Sequence, residues 1–222
     1  MKNKFFLKIT VCFMAVFFVY LAGEFVIKKE YEDINPLEKG YKNLTMVTVL
    51  SNEKSGRGII YEVSDSNVCI LTSKHLVADN IYPVVEFGDS YVKAANVNYY
   101  FKQMDAALLT VEKDEFISNY LSPPKSIGRE EYFELPAETP VYFADGIRDE
   151  NITVLQGELI EKDVNEEGLE QRVGLFEGEV VAGMSGGGVF DEKGRLIGMI
   201  VATDGKYGAF IPICDIDEEV KQ

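Results

Sequence analysis

The chain has 222 residues, 46% of them hydrophobic, which suits one domain of ordinary size or two small barrels sharing an interface and excludes a disordered polymer. With 37 acidic against 22 basic residues its formal charge is -15, which repels nucleic acid and anionic lipid and argues against both as partners. Three cysteines and one histidine supply neither a disulfide framework nor zinc-ligand spacing, so no metal is expected. Cys69 and Cys214, each in an apolar strand-like run, read as buried free thiols.

Lys2, Lys4 and Lys8 precede an uninterrupted run of apolar and small residues from Ile9 to Gly23, and Phe5 to Ile27 is largely apolar. As a helix that stretch would reach roughly 34 Å, enough to cross a bilayer, so residues 1–27 read as a signal anchor or a signal peptide. Cleavage wants small residues at the first and third positions before the cut. A cut after Ala22 puts Tyr20 at the third position and a cut after Gly23 puts Leu21 there, which favours an uncleaved membrane-spanning helix with the bulk of the chain outside the membrane. Secretion after cleavage is the alternative. Residues 28–43, dense in charge and turn formers, read as a tether.

From Leu44 to the end the pattern is short runs rich in Val, Ile, Tyr, Phe and Thr, broken at close intervals by Gly, Asn, Asp and Pro: an all-β signature for residues 44–222. Strands are expected at Thr45–Leu50, Gly58–Val63, Val68–Thr72, Val84–Phe87, Tyr91–Tyr100 and Ala106–Val111. One or two helical turns are expected in Asp114–Tyr120, then a break at Ser122-Pro123-Pro124. The charged segment Lys125–Thr139 reads as an irregular crossing. A second series follows from Val141, with strands at Ile152–Ile160, Arg172–Glu177, Gly188–Phe190, Leu196–Ala202 and Ala209–Ile213. Asp163–Glu170 reads as a solvated acidic hairpin or loop, and Asp215–Gln222 as a short terminal helix.

The chemistry concentrates in Gly183-Met184-Ser185-Gly186-Gly187-Gly188, where glycines let the backbone fold tightly around a serine. A serine hydroxyl needs a base, ordinarily an imidazole held by a carboxylate. The one histidine, His75, ends the apolar run Cys69 to Thr72 and its polar turn, and Asp105 opens the apolar run to Val111. Gly-x-Ser-x-Gly is also the nucleophile elbow of α/β-hydrolases, but there the histidine follows the serine, and no histidine follows Ser185.

The three segments in the order His, Asp, Ser resemble those of chymotrypsin-like (trypsin-like) serine proteases, and more closely the bacterial HtrA/Deg-type protease domain. Ser55-Gly56-Arg57-Gly58 and Tyr207-Gly208-Ala209-Phe210-Ile211-Pro212 resemble the flanking strands of that family. The resemblance runs from about Leu44 to Ile213, with no PDZ domain after it. It implies two six-stranded antiparallel β-barrels with the active site between them, and a serine endopeptidase acting on polypeptides outside the membrane without a cofactor. It implies catalytic His75, Asp105 and Ser185, an oxyanion hole from the Gly183 and Ser185 N–H groups, and a substrate pocket near Glu179, Thr203 and Gly208. Met184 departs from the Asp or Asn usual there, and Gly188 from a frequent Pro. The competing expectation is a catalytically inactive protease-like module that binds peptides or senses misfolded protein.

Overall fold

The chain divides into two units, Met1–Asn35 and Pro36–Gln222. A computed structural model describes residues 45–221 except 81, 89, 90, 119, 120, 149, 150 and 170. The expected leading helix, Cys12 and the tether lie outside the described residues, and no described helix is long and apolar enough to cross a membrane.

Two antiparallel β-structures make up the described chain. The first contains β1 (Met46–Ser51), β2 (Lys54–Val63), β3 (Asn67–Thr72), β4 (Val84–Phe87), β5 (Tyr91–Ala94), β6 (Asn96–Tyr100) and β7 (Ala107–Glu112), in the order β5-β4-β1-β2-β3-β7-β6. The second is a closed barrel of β8 (Pro140–Arg148), β9 (Asn151–Asn165), β10 (Arg172–Glu177), β11 (Gly188–Phe190), β12 (Leu196–Thr203) and β13 (Tyr207–Pro212), in the order β10-β13-β12-β11-β8-β9.

The first structure corrects the expectation of two closed six-stranded barrels. The segment Tyr91–Tyr100 is not one strand: it breaks at Ala95, which is buried and donates its N–H to Pro83 O at 2.8 Å. Its first half pairs with β4 and its second with β7, so the seven-stranded sheet curls until its two edges are consecutive pieces of chain. Closure there is through the covalent chain at Ala95, not through a hydrogen-bonded ladder.

Most of β1 and β3, and the Ile59-Ile60 centre of β2, are apolar at successive positions because both faces are covered there. Val47, Val49, Ile60 and Ile70 fill the interior of the first sheet. Their neighbours Met46, Ile59 and Leu71, paired across strands as Met46↔Ile59 and Ile59↔Leu71, join the core of the second barrel with Phe143, Phe176, Met199 and Phe210. One period-2 alternation thus fills one sheet and attaches it to the other.

Four short helices complete the described chain: α1 (Lys74–Val77), α2 (Glu115–Ser118), α3 (Arg129–Glu134) and α4 (Ile213–Val220). The helix α3 corrects the irregular reading of Lys125–Thr139. Tyr132 is fully buried there, its hydroxyl donates to Lys162 O at 2.8 Å, and the Lys162 ammonium donates to the carbonyls of Phe133 and Leu135 at the helix end. The anchor on β9 is thirty residues away in sequence, and local propensity does not show it. Cys69 and Cys214 are free, Cys214 buried and Cys69 half-buried.

Candidate active site

His75 stands on α1, directly after β3. The turn is held by Ser73, fully buried, whose hydroxyl donates to Ile200 O on β12 at 3.2 Å, and by the buried Leu76 and Val77. Ser73 was not singled out in the sequence, although a hydroxyl closing an apolar run is the signal that a polar anchor is needed. On the solvent side Lys54 Nζ donates to His75 O at 3.0 Å and pairs with Asp79 at 3.3 Å.

Asp105 ends the β6–β7 turn, which is closed by Phe101 N–H donating to Ala106 O at 3.1 Å. The carboxylate grips His75 twice. Oδ2 lies 2.5 Å from Nδ1 and Oδ1 accepts the backbone N–H of His75 at 2.8 Å, while Asp105 O accepts Lys74 N–H at 3.3 Å. Because a carboxylate oxygen accepts, Nδ1 is the donor in this contact, which in the neutral imidazole leaves the lone pair on Nε2. The imidazole is 45% exposed and the carboxylate 23%, so the ring faces the open side of the site.

Ser185 belongs to the second barrel, in the β10–β11 loop, yet its loop is docked on the first sheet. Ser185 O accepts Arg57 N–H of β2 at 2.7 Å, and Gly186 N–H donates to Ile200 O at 2.8 Å. At Gly56 an added Cβ would lie 2.3 Å from Leu76 and 2.8 Å from Ser185 O, so only glycine lets the residue after His75 and the nucleophile loop approach from two sides. Gly186 has φ +85° and a Cβ there would lie 2.0 Å from Arg57 O. The fold therefore sets Asp105 against His75 and brings the Ser185 loop to Gly56, on which Leu76, the residue after His75, also packs. Among the described residues Ser185 Oγ makes no hydrogen bond, to His75 or otherwise.

The N–H groups of Gly183 and Ser185 donate to nothing among the described residues and flank Met184. They are two free donors one residue apart, which is what an oxyanion requires. Met184 is 1% exposed and part of the main core.

Of the three pocket candidates, Glu179 is exposed. Gly208 is buried under Phe176 and Val180, which an added Cβ would meet at 2.4 and 2.9 Å. Thr203 Oγ1 lies 3.1 Å from Val180 O and 3.0 Å from Tyr207 O, tying the segment before the nucleophile loop to the β12–β13 turn. The surroundings of Gly208 are thus apolar and filled. A separate cleft of about 410 Å³ is lined by residues that include Met104, Gln171, Asp215 and Glu219. Its acids are committed elsewhere: Asp215 to Arg129 at 2.6 Å, and Glu219 to Lys102 N–H and the Tyr99 hydroxyl, each at 3.2 Å.

A search of curated protein sequences finds no match. Among solved structures the chain is similar to Rv3671c from M. tuberculosis H37Rv in the inactive form of a serine-to-alanine mutant, with 18% identity over 85% of this chain and 90% of that one and a TM-score of 0.63. It is similar to Deg5, with 17% identity, 86% and 92% covered and a TM-score of 0.66. It is also similar to the HtrA-type protease AlgW with a tripeptide, with 18% identity, 84% and 62% covered and a TM-score of 0.67. At such identities the likeness is one of fold. A family profile described as a trypsin-like peptidase domain matches residues 56–199, from the glycines of β2 through the nucleophile loop into β12. With well over half of its length matched, the chain belongs to the trypsin-like peptidase family, a family of proteases.

Proposed function

We propose that the protein is a serine endopeptidase in which Ser185 is the nucleophile, His75 the general base and Asp105 the group that orients and stabilises the imidazole. The observation that carries this reading is the two-point hold of Asp105 on His75, at 2.5 and 2.8 Å, which aims Nε2 away from the carboxylate. Ser185 Oγ attacks the scissile carbonyl carbon as Nε2 takes its proton, and the carbonyl electron pair moves to oxygen between the N–H groups of Gly183 and Ser185. Collapse breaks the C–N bond, and His75 returns the proton to the leaving amine. Water then enters by the same steps and releases the acid from Ser185. Hydrogen bonds of this kind tighten when substrate is bound, so the free site lacking an Oγ–His75 bond is consistent with the mechanism. A general base contributes about 10²–10⁴-fold and an oxyanion donor about 10²–10³-fold in enzymes of this kind. The chemistry requires no cofactor.

The test is labelling of the purified domain with a fluorophosphonate. Wild type is expected to label rapidly, and Ser185→Ala and His75→Ala to remain unlabelled and unable to cleave a peptide. Rapid labelling of Ser185→Ala would remove Ser185 from the mechanism. The absent Oγ–His75 bond favours one second reading, a peptide-binding module without catalysis. A wild type that binds peptides but neither labels nor cleaves them would establish that instead.

The leading segment supports a site of action outside the membrane, with the domain tethered to it. Full-length protein is then expected in carbonate-washed membranes, and a soluble form beginning near Gly23 would show cleavage and secretion.

A further inference from the structure

The two candidate oxyanion donors are only as well placed as the loop that carries them, and this loop is thinly attached. Upstream, Gly178 N–H donates to Lys206 O at 2.9 Å and Thr203 meets Val180 O. Downstream, Ser185 O and Gly186 N–H are bonded to Arg57 and Ile200. Between them, from Val181 to Met184, every hydrogen bond of the described structure has Met184 at one end. Met184 N–H donates to Val181 O at 3.2 Å, Val181 N–H donates to the Met184 thioether at 3.4 Å, and Met184 O accepts Gly187 N–H at 2.9 Å. Ala182 and Gly183 make none. Nor do neighbours confine Gly183, since a Cβ on it would meet only Ser55 O, at 4.0 Å, and its φ of +96° is open to glycine without strain.

The one fixed point is the Met184 side chain, 1% exposed in a core cluster that includes Val180, Val189 and Ile200. The buried thioether closes a ring with Val181 that sets the direction of the peptide units on either side. A carboxylate at this position would enter that apolar cluster, where a charge without a partner is costly. Methionine fills such an irregular space with a flexible apolar chain and a weak acceptor.

We propose that Met184 is a positioning residue that holds the Gly183 and Ser185 N–H groups in register for the oxyanion through its buried side chain and its Val181 N–H···Sδ contact. The proposal rests on the oxyanion role argued above. Loss of the hold acts on the transition state, in which the oxygen carries charge, and hardly on substrate binding.

The experiment compares wild type, Met184→Ala and Met184→Leu by steady-state peptide hydrolysis and by amide hydrogen exchange over residues 179–187. Leucine retains the burial and lacks the acceptor. Met184→Ala is expected to lower kcat about 10–100-fold, approaching the loss of one oxyanion donor, with KM changed less than threefold and faster exchange in the loop. Met184→Leu is expected to recover most of that kcat while Val181 N–H still exchanges faster than in wild type. A folded Met184→Ala with kcat within twofold of wild type overturns the proposal, as does a loss of kcat with unchanged exchange. If wild type neither hydrolyses peptide nor labels with fluorophosphonate, the oxyanion reading fails. Exchange then decides alone, and an unchanged loop in Met184→Ala overturns the positioning role.

Discussion

Replacing Gly186 by alanine probes the seam between the two β-structures. Its φ of +85° lies where an L side chain is strained, which costs about 1–2 kcal/mol. The added Cβ would also lie 2.0 Å from Arg57 O and 2.7 Å from Thr72 Oγ1. Neither neighbour yields easily, because Thr72 Oγ1 donates to Arg57 O at 2.6 Å and Arg57 N–H is bonded to Ser185 O at 2.7 Å. Overpacking of this kind adds about 1–3 kcal/mol, for a total of about 2–5 kcal/mol. In a domain of this size that lowers Tm by about 4–20 °C. The assay is thermal unfolding followed by circular dichroism, with Gly168→Ala as control. Gly168 has φ +90° with nothing within 4 Å of its Cβ, so that variant carries the backbone strain alone. Peptide hydrolysis should fall in Gly186→Ala beyond what its residual folded fraction explains, since the nucleophile loop must lift from β2. Equal Tm values for the two variants would refute the reasoning.

Asp105→Asn retains an oxygen for the His75 N–H but turns an amide donor toward Nδ1, which moves the ring proton to Nε2; kcat/KM should fall about 10³–10⁴-fold, about 4–5.5 kcal/mol of transition-state stabilisation, and a loss under tenfold would contradict the assigned tautomer. Burial pushes the Cys69 and Cys214 thiols up to about 11, with Glu62 and Asp215 respectively adding to the effect. A folded value raised above that of the unfolded chain gives stability that is complete below about pH 8.5 and is lost as the pH rises toward 11. The hydroxyls of half-buried Tyr61 and buried Tyr132, also held well above the usual phenol range, add the same sign. Urea midpoints should therefore decline from about pH 9 upward, and native thiols should react slowly with iodoacetamide at pH 8; flat midpoints to pH 11 would be the contrary result. Finally, the exposure of Glu179 and the filled apolar surroundings of Gly208 predict that wild type and Glu179→Ala share a preference for small aliphatic residues before the cut in a peptide library. A preference for Lys or Arg that vanishes in Glu179→Ala would place that carboxylate in the pocket after all.

Much of this architecture is local in origin. The apolar runs of β1 and β3 and the punctuation by Gly and Asn are properties of neighbouring residues, and the order of His75, Asp105 and Ser185 is a property of the chain, so all are visible in the sequence by itself. The short terminal helix is of the same kind. What only the tertiary structure decided depends on contacts between distant residues. Whether Tyr91–Tyr100 is one strand turns on Pro83, which captures the N–H of Ala95. The helix α3 exists where Tyr132 and Lys162 meet. Met184 stands in the sequence only as a departure from the usual Asp or Asn, and becomes an anchor through its burial in the main core. Glu179 and Val180 are adjacent in a featureless stretch, yet one is exposed and the other buried, because Phe176 and Gly208 leave a space that only an apolar side chain can fill. Burial is a property of the assembled core, and the sequence carries it only where a regular period repeats; loops such as 178–187 have none.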